Sequence, residues 1–303
     1  MINHSMIFPD LSQDVIATKA MMIPILTRYD ARHPALVVGV MPVHVASHLF
    51  RSRFGRYSLH GRLSLAGQTR ERWSAMEYVV ETEALSKHYG TRQSALAVNN
   101  LNLQVPRGIL YGLVGPDGAG KTSTLRMLST VMEASSGHVR VLGYDSRAQP
   151  DNIRERIGYM PQNFSQYPDL TLNENLTFFA DIQQVPKARK QERIDEMLRF
   201  THLTEFRNRR AGTLSGGMKK KLALACALIH GPQVLLLDEP STGVDPVSRR
   251  EFWVILSQVV LSGATVIIST PYMDEAERCH QVGILSQGQI FAQGTPDELR
   301  AQL

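Results

Sequence analysis

A chain of 303 residues, 43% hydrophobic and 20% charged, is long enough to bury a full core and too apolar to be disordered. Its longest apolar run, Ala35-Leu-Val-Val-Gly-Val-Met-Pro-Val43, falls far short of the roughly 18–20 residues a membrane-spanning helix needs. The net charge of +5 lies wholly in residues 1–75, which hold nine Lys/Arg and four Asp/Glu and leave 24 of the 33 basic and 24 of the 28 acidic residues downstream; no basic face, and so no nucleic-acid partner, is expected of the remainder.

Residues 1–75 carry no sustained period of 2 or 3.6 and no signal-peptide layout. They are expected to form a poorly defined extension, with Met76 the true start and the upstream segment a translation-start artefact or a disordered leader. Residues 76–303 read as the folded unit. Met76–Leu85 alternates as a strand, Ser86-Lys-His-Tyr-Gly90 reads as a turn, and Leu96–Val105 as a second strand. Pro106-Arg-Gly108 then turns the chain into Ile109–Val114, a short apolar strand. Tyr89 offers a flat surface for a purine ring.

Next come Gly115, Pro116, Asp117, Gly118, Ala119, Gly120, Lys121 and Thr122, which fit Gly-x-x-x-x-Gly-Lys-[Ser/Thr] without a mismatch. A triphosphate needs many donors converging on its oxygens, and backbone amides supply them only where side chains stay clear, hence the three glycines. Lys121 brings a full charge to the terminal phosphates, Thr122 a hydroxyl for Mg²⁺, and the helix expected over Lys121–Met132 a positive dipole end.

A turn at Ala134–Gly137, a strand at His138–Leu142 and another at Ile157–Gln162 come after it, then a mainly helical block at about 165–230. Its helices are expected at Leu172–Ile182, at Lys187–Phe200 and from near Ser215. Lys219-Lys-Lys221 and Arg207-Asn-Arg-Arg210 read as solvated surface. Val234-Leu-Leu-Leu237 is a buried strand ending in Asp238 and Glu239, the first placed to hold Mg²⁺ and the second to act as general base on an attacking water. Ser215, Gly216 and Gly217, bare amides and a hydroxyl at a helix start, form a second anion site. A helix at Pro246–Val260, a strand at Thr265–Ser269, a hairpin about Gln287-Gly288 and a helix capped by Thr295 complete an α/β chain. Cys226 and Cys279 form no metal-ligand spacing and no disulfide framework, which makes a reducing cytosol the default compartment.

Over roughly residues 77–303 the ordered set Gly115–Thr122, Gln162 behind a strand, Leu214-Ser-Gly-Gly, Val234–Pro240 and Ser241-Thr-Gly-Val-Asp-Pro246 resembles the motifs of ATP-binding cassette (ABC) transporter ATPases. Leu214-Ser-Gly-Gly-Met-Lys219 and Pro271-Tyr-Met-Asp-Glu-Ala-Glu277 look most like ATPases of bacterial ABC-2 type multidrug and sodium/lithium exporters. The resemblance implies a RecA-like P-loop NTPase core with an antiparallel β subdomain and an inserted helical subdomain. It implies ATP and Mg²⁺, with Tyr89 stacking the adenine, residues 115–122 and Ser123 at the phosphates, and Thr122, Gln162 and Asp238 at the metal. Lys121, Gln162 and Glu239 would carry catalysis, while Ser215, Gly216 and Gly217 would close over the γ-phosphate of a second nucleotide-binding domain, in a homodimer or heterodimer, with Asp245 at the seam. Separate ABC-2 type permease subunits would hold the chain on the inner face of the cell membrane. A ribosome-associated soluble ABC ATPase and a weakly hydrolysing nucleotide switch are the alternatives. Two departures from the pattern stand out: Met218 where Gln is commonest, and Thr270-Pro271 where the family usually has a His that contacts the γ-phosphate.

Overall fold

The computed structural model describes residues 78–90 and 95–302, so the expectations for residues 1–75 lie outside the described residues. Strand β1 (Tyr78–Tyr89) pairs antiparallel with β2 (Ala95–Pro106) and with β4 (Ser136–Val141), and the two-residue β5 (Tyr144–Asp145) completes a four-stranded sheet in the order β2-β1-β4-β5. The turn expected at Ser86–Gly90 is instead the irregular end of β1. There the register with β2 shifts repeatedly, and side chains take over the pairing: Ser86 Oγ accepts from Asn100 N at 3.0 Å and Ser135 Oγ from His88 N at 3.0 Å.

The second sheet has the order β10-β9-β3-β8-β7-β6. Strands β3 (Leu110–Val114), β6 (Ile157–Met160), β7 (Val234–Asp238) and β8 (Thr265–Thr270) run parallel and every residue in them is buried. That is why they read as unbroken apolar runs rather than alternating ones: a parallel sheet is covered on both faces. β9 (Gln281–Ser286) pairs parallel with β3, and β10 (Gln289–Gly294) returns antiparallel from it.

Each face of this sheet closes its own core. Leu235, Leu237, Val266 and Ile268 point to one side, against helices α3 (Leu172–Ile182), α4 (Lys187–Phe200), α5 (Gly216–Leu228) and α6 (Pro246–Leu261). Val234, Leu236, Ile267 and Tyr111 point to the other, against the antiparallel sheet and helix α1 (Lys121–Leu128). Helix α1 stops four residues short of the expected Met132, because Thr130 turns left-handed (φ 59°) and the Val131 and Met132 amides fold back onto Arg126 O. Three short helices remain: α2 (Pro150–Arg154) and α7 (Met273–Ala276) fill connections and are too short to show a period in sequence, and α8 (Pro296–Ala301) follows β10 and carries the expected Thr295–Glu298 capping box.

Two loops at the edge of the parallel sheet owe their shape to single residues. Gly115 ends β3 so close to β9 that a Cβ there would sit 2.2 Å from Leu285 O, whereas Gly118 has open space around it and needs only its left-handed φ of +79°. Beyond β6, the fully buried Asn175 ties the connecting loop: its Oδ1 accepts from Tyr167 N at 2.9 Å and its Nδ2 donates toward Tyr167 O, Leu170 O and Thr171 O.

These contacts set the cost of three substitutions. Gly118→Ala costs about 1–2 kcal/mol in a thermal melt, the penalty of left-handed backbone alone; Gly115→Ala, which must move the β9 backbone, costs clearly more. Asn175→Ala orphans the Tyr167 amide and lowers the unfolding free energy by about 1–3 kcal/mol in urea titration.

Candidate functional site

The carboxyl ends of β3, β6, β7 and β8 share one edge of the parallel sheet, the edge at which open α/β sheets bind ligands. β3 delivers the glycine-rich loop there, and α1 starts at Lys121 directly behind Gly120. The Lys121 side chain is 3% exposed; its Nζ donates to Gly115 O at 2.8 Å and Pro116 O at 3.0 Å and lies 3.3 Å from Glu239 Oε1. Of the other loop residues, Ala119 is buried and Asp117 is open to solvent, 3.9 Å from the Lys121 ammonium.

Asp238 ends β7 fully buried. Its Oδ1 accepts from Ser269 Oγ at 2.7 Å and Thr122 Oγ1 at 3.1 Å, while the buried Oδ2 has no hydrogen-bond partner. Burial pushes the carboxyl above its ordinary range, against the pull of those two hydroxyls. A buried carboxylate oxygen without a donor, beside the Thr122 hydroxyl, is a donor set that fits a hard divalent cation.

Glu239 comes next at φ 43°, a left-handed conformation that a residue with a side chain seldom adopts. Ser269 holds it there: the Glu239 amide donates to Ser269 Oγ at 3.0 Å and Ser269 O at 3.2 Å. Glu239 Oε2 accepts from Gln162 Nε2 at 2.8 Å and from Thr242 Oγ1 at 3.3 Å. The loop behind β6 brings Gln162 across. Thus Lys121, Thr122, Gln162, Asp238 and Glu239, spread over more than a hundred residues of chain, meet as one group.

Tyr89 stands at the rim. Its ring is 38% exposed, with the hydroxyl 3.1 Å from Ser123 Oγ and 3.2 Å from Met132 Sδ and the Lys87 ammonium 5.7 Å from the ring centre. Ser215, Gly216 and Gly217 form a separate group. Ser215 caps α5, its Oγ accepting from Met218 N at 3.3 Å; Ser215 and Gly216 are exposed, and Gly217 is packed so closely that a Cβ would lie 2.7 Å from Ser248 Oγ. Asp245 caps α6 through the Val247 and Ser248 amides, and those bonds hold its carboxyl below the usual range, the Ser248 contacts most strongly.

Sequence reasoning missed two features of the site. Ser269 touches both Asp238 and Glu239 because the β7–β8 register sets Asp238 beside Ser269, a non-local fact. Lys219-Lys-Lys221 is not the solvated cluster expected of it: Lys219 Nζ lies 5.5 Å from the Phe164 ring centre, Lys220 Nζ donates to Gln162 O at 2.8 Å, and Lys221 Nζ is 3.3 Å from the buried Glu251. Three consecutive helical residues span about 200° of the helix surface, so they cannot all face water on a packed helix; that signal was available. Behind β8, Thr270 Oγ1 donates to the fully buried Glu275 at 2.7 Å and accepts from Tyr272 N at 3.1 Å, with Pro271 between.

Among the described residues no helix is long and apolar enough to cross a membrane. Residues 98–242 match the ABC transporter family. The chain is 40% identical over 226 residues to the ABC transporter ATP-binding protein YbhF of Escherichia coli, covering 75% of this chain but only 39% of that protein. It is also 40% identical over 226 residues to the daunorubicin/doxorubicin resistance ATP-binding protein DrrA of Streptomyces peucetius, covering 74% of this chain and 67% of DrrA. Its fold superposes on cbiO1 of Clostridium perfringens, part of an ABC transporter complex, with a TM-score of 0.67 at 27% identity, over 74% of this chain and 91% of that one. The shared motifs, the sheet that positions them and these likenesses make the chain a member of the ABC transporter ATP-binding protein family.

Proposed function

We propose that this chain binds and hydrolyses ATP as the energising subunit of an ABC-2 type exporter, pairing with a second nucleotide-binding domain around two MgATP and driving separate permease subunits at the inner face of the cell membrane. Residues 76–303 form the ABC-type ATP-binding domain, with 165–230 as its helical subdomain. The convergence of Lys121, Thr122, Gln162, Asp238 and Glu239 at one sheet edge carries the reading. The names of DrrA, for antibiotic resistance, and of a Nod factor export ATP-binding protein that is 37% identical support an exporter.

In this reading the adenine lies on Tyr89 beside Ser123, and the loop amides of residues 115–120 surround the phosphates. Lys121 leaves the Gly115 and Pro116 carbonyls for the β- and γ-phosphates. Thr122, Asp238 and Gln162 hold Mg²⁺, which supplies charge neutralisation on the phosphate oxygens. Once Lys121 turns to phosphate, Glu239 Oε1 loses its ion pair and becomes free to take the proton of the attacking water. Ser215, Gly216 and Gly217 reach the γ-phosphate of the facing domain, across a seam that includes Asp245.

A second reading, a nucleotide switch that hydrolyses slowly, draws on one observation. Where the family places an imidazole this chain has Pro271, and the neighbouring Thr270 hydroxyl is already committed to Glu275. Proline has neither an imidazole nor a backbone N–H to offer the γ-phosphate.

Glu239→Gln lowers steady-state ATP turnover about 10²- to 10⁴-fold while equilibrium ATP binding persists; turnover that survives the change removes Glu239 from the chemistry. Pro271→His raises the single-turnover rate of a slow wild type; no gain from the imidazole, or a wild type already turning over at about 10 s⁻¹, sinks the switch reading.

A further inference from the structure

The amide of Gln162 is held from in front and its backbone from behind. Nε2 donates to Glu239 Oε2 at 2.8 Å, and the carbonyl accepts from Lys220 Nζ at 2.8 Å. Lys220 stands in the second turn of the helix that Ser215 caps, and its neighbour Lys219 lies over the ring of Phe164, two residues past Gln162. At the far end of the same loop Asn175 grips Tyr167. The loop is therefore clamped at both ends, and at its Gln162 end the clamp is a charged donor on a neutral acceptor, stronger than an ordinary amide pair.

We infer that Lys220 is the positioning residue for Gln162: the bond from its ammonium to the Gln162 carbonyl sets where the Gln162 amide stands relative to Glu239, and makes the Ser215 helix and the Gln162 loop move as one body. The consequence for turnover rests on the ATPase reading; the geometry does not. A long side chain suits the contact because it bridges two elements, the helix that carries Lys220 and the loop that carries Gln162. Displacing Gln162 by about 1 Å is enough to cost about 10²-fold in a rate that depends on its orientation. Three lysines in a row, two of them gripping one loop, thereby connect the segment that would face a second domain to the side chain that touches Glu239.

The test compares the full-length protein with Lys220→Met, which keeps the stem and loses the donor, and Lys220→Arg, which keeps a charged donor. Hydrogen exchange of the Gln162 side-chain amide, whose Nε2 donates to Glu239 Oε2, is measured by NMR together with single-turnover ATP hydrolysis and equilibrium ATP binding. In the Met variant, exchange of this side-chain amide accelerates about tenfold, as the loss of one charge-assisted hydrogen bond implies. Its hydrolysis slows about 10- to 100-fold with ATP affinity unchanged. The Arg variant restores most of both. Wild-type exchange in the Met variant overturns the inference, and so does a rate loss matched by equal losses of ATP affinity and melting temperature, which marks a merely structural lysine. If the wild type does not hydrolyse ATP at all, the ATPase reading fails by itself, and the exchange measurement still decides on Lys220.

Discussion

Three charges at the tip of an apolar sheet set the terms for everything around them. Lys121, Asp238 and Glu239 are 3%, 0% and 6% exposed, and each ion taken out of water costs several kcal/mol before any contact repays it. The 3.3 Å approach of Lys121 to Glu239 compensates one carboxylate. Asp238 is left with two hydroxyl donors on one oxygen and none on the other, and burial holds its carboxyl above the ordinary range despite those donors. The group is deficient in positive charge. A cation bound at Asp238 would meet that need, and an anionic ligand would draw Lys121 from Glu239, so in the proposed reading each would change what the other finds.

Such a cluster survives only on a rigid base. Four parallel strands, buried on both faces and packed against a separate core on each side, fix the strand ends to which these side chains belong. The strained backbone of Glu239 is part of the same arrangement. A left-handed residue with a side chain persists only where its surroundings over-determine it, and here Ser269 takes the Glu239 amide twice while holding Asp238 with its hydroxyl proton. One serine on the neighbouring strand thus sets both the strain and the charge pattern.

What the sequence made legible was local. The apolar run before Asp238, the glycines before Lys121 and the Thr295–Glu298 box each state their geometry within a few residues, and strands β3, β7 and β8 lie within a residue or two of where those runs put them. What stayed hidden depends on register and on neighbours distant in sequence. Ser269 looks like the last residue of a strand until the pairing sets it beside Asp238. Ser86–Gly90 looks like a turn because its pairing is carried by the side chains of Ser86 and Ser135, not by a regular ladder. Lys220 looks solvated because sequence shows its charge and not the carbonyl that receives it.

The two groups of site residues differ in kind, and the difference bears on how the molecule works. The Lys121 group is buried and joined by direct contacts; in the Ser215 group Ser215 and Gly216 are exposed, and the Ser215 hydroxyl caps its own helix. In the proposed reading, the amides at this helix start would serve an anion presented by another surface. A buried half and an open half on one chain are what the proposed pairing with a second domain would bring together. Between the halves, the Gln162 loop touches Glu239 on one side and the Ser215 helix on the other, so a shift of that helix would reach Glu239 through the Lys220 bond to Gln162.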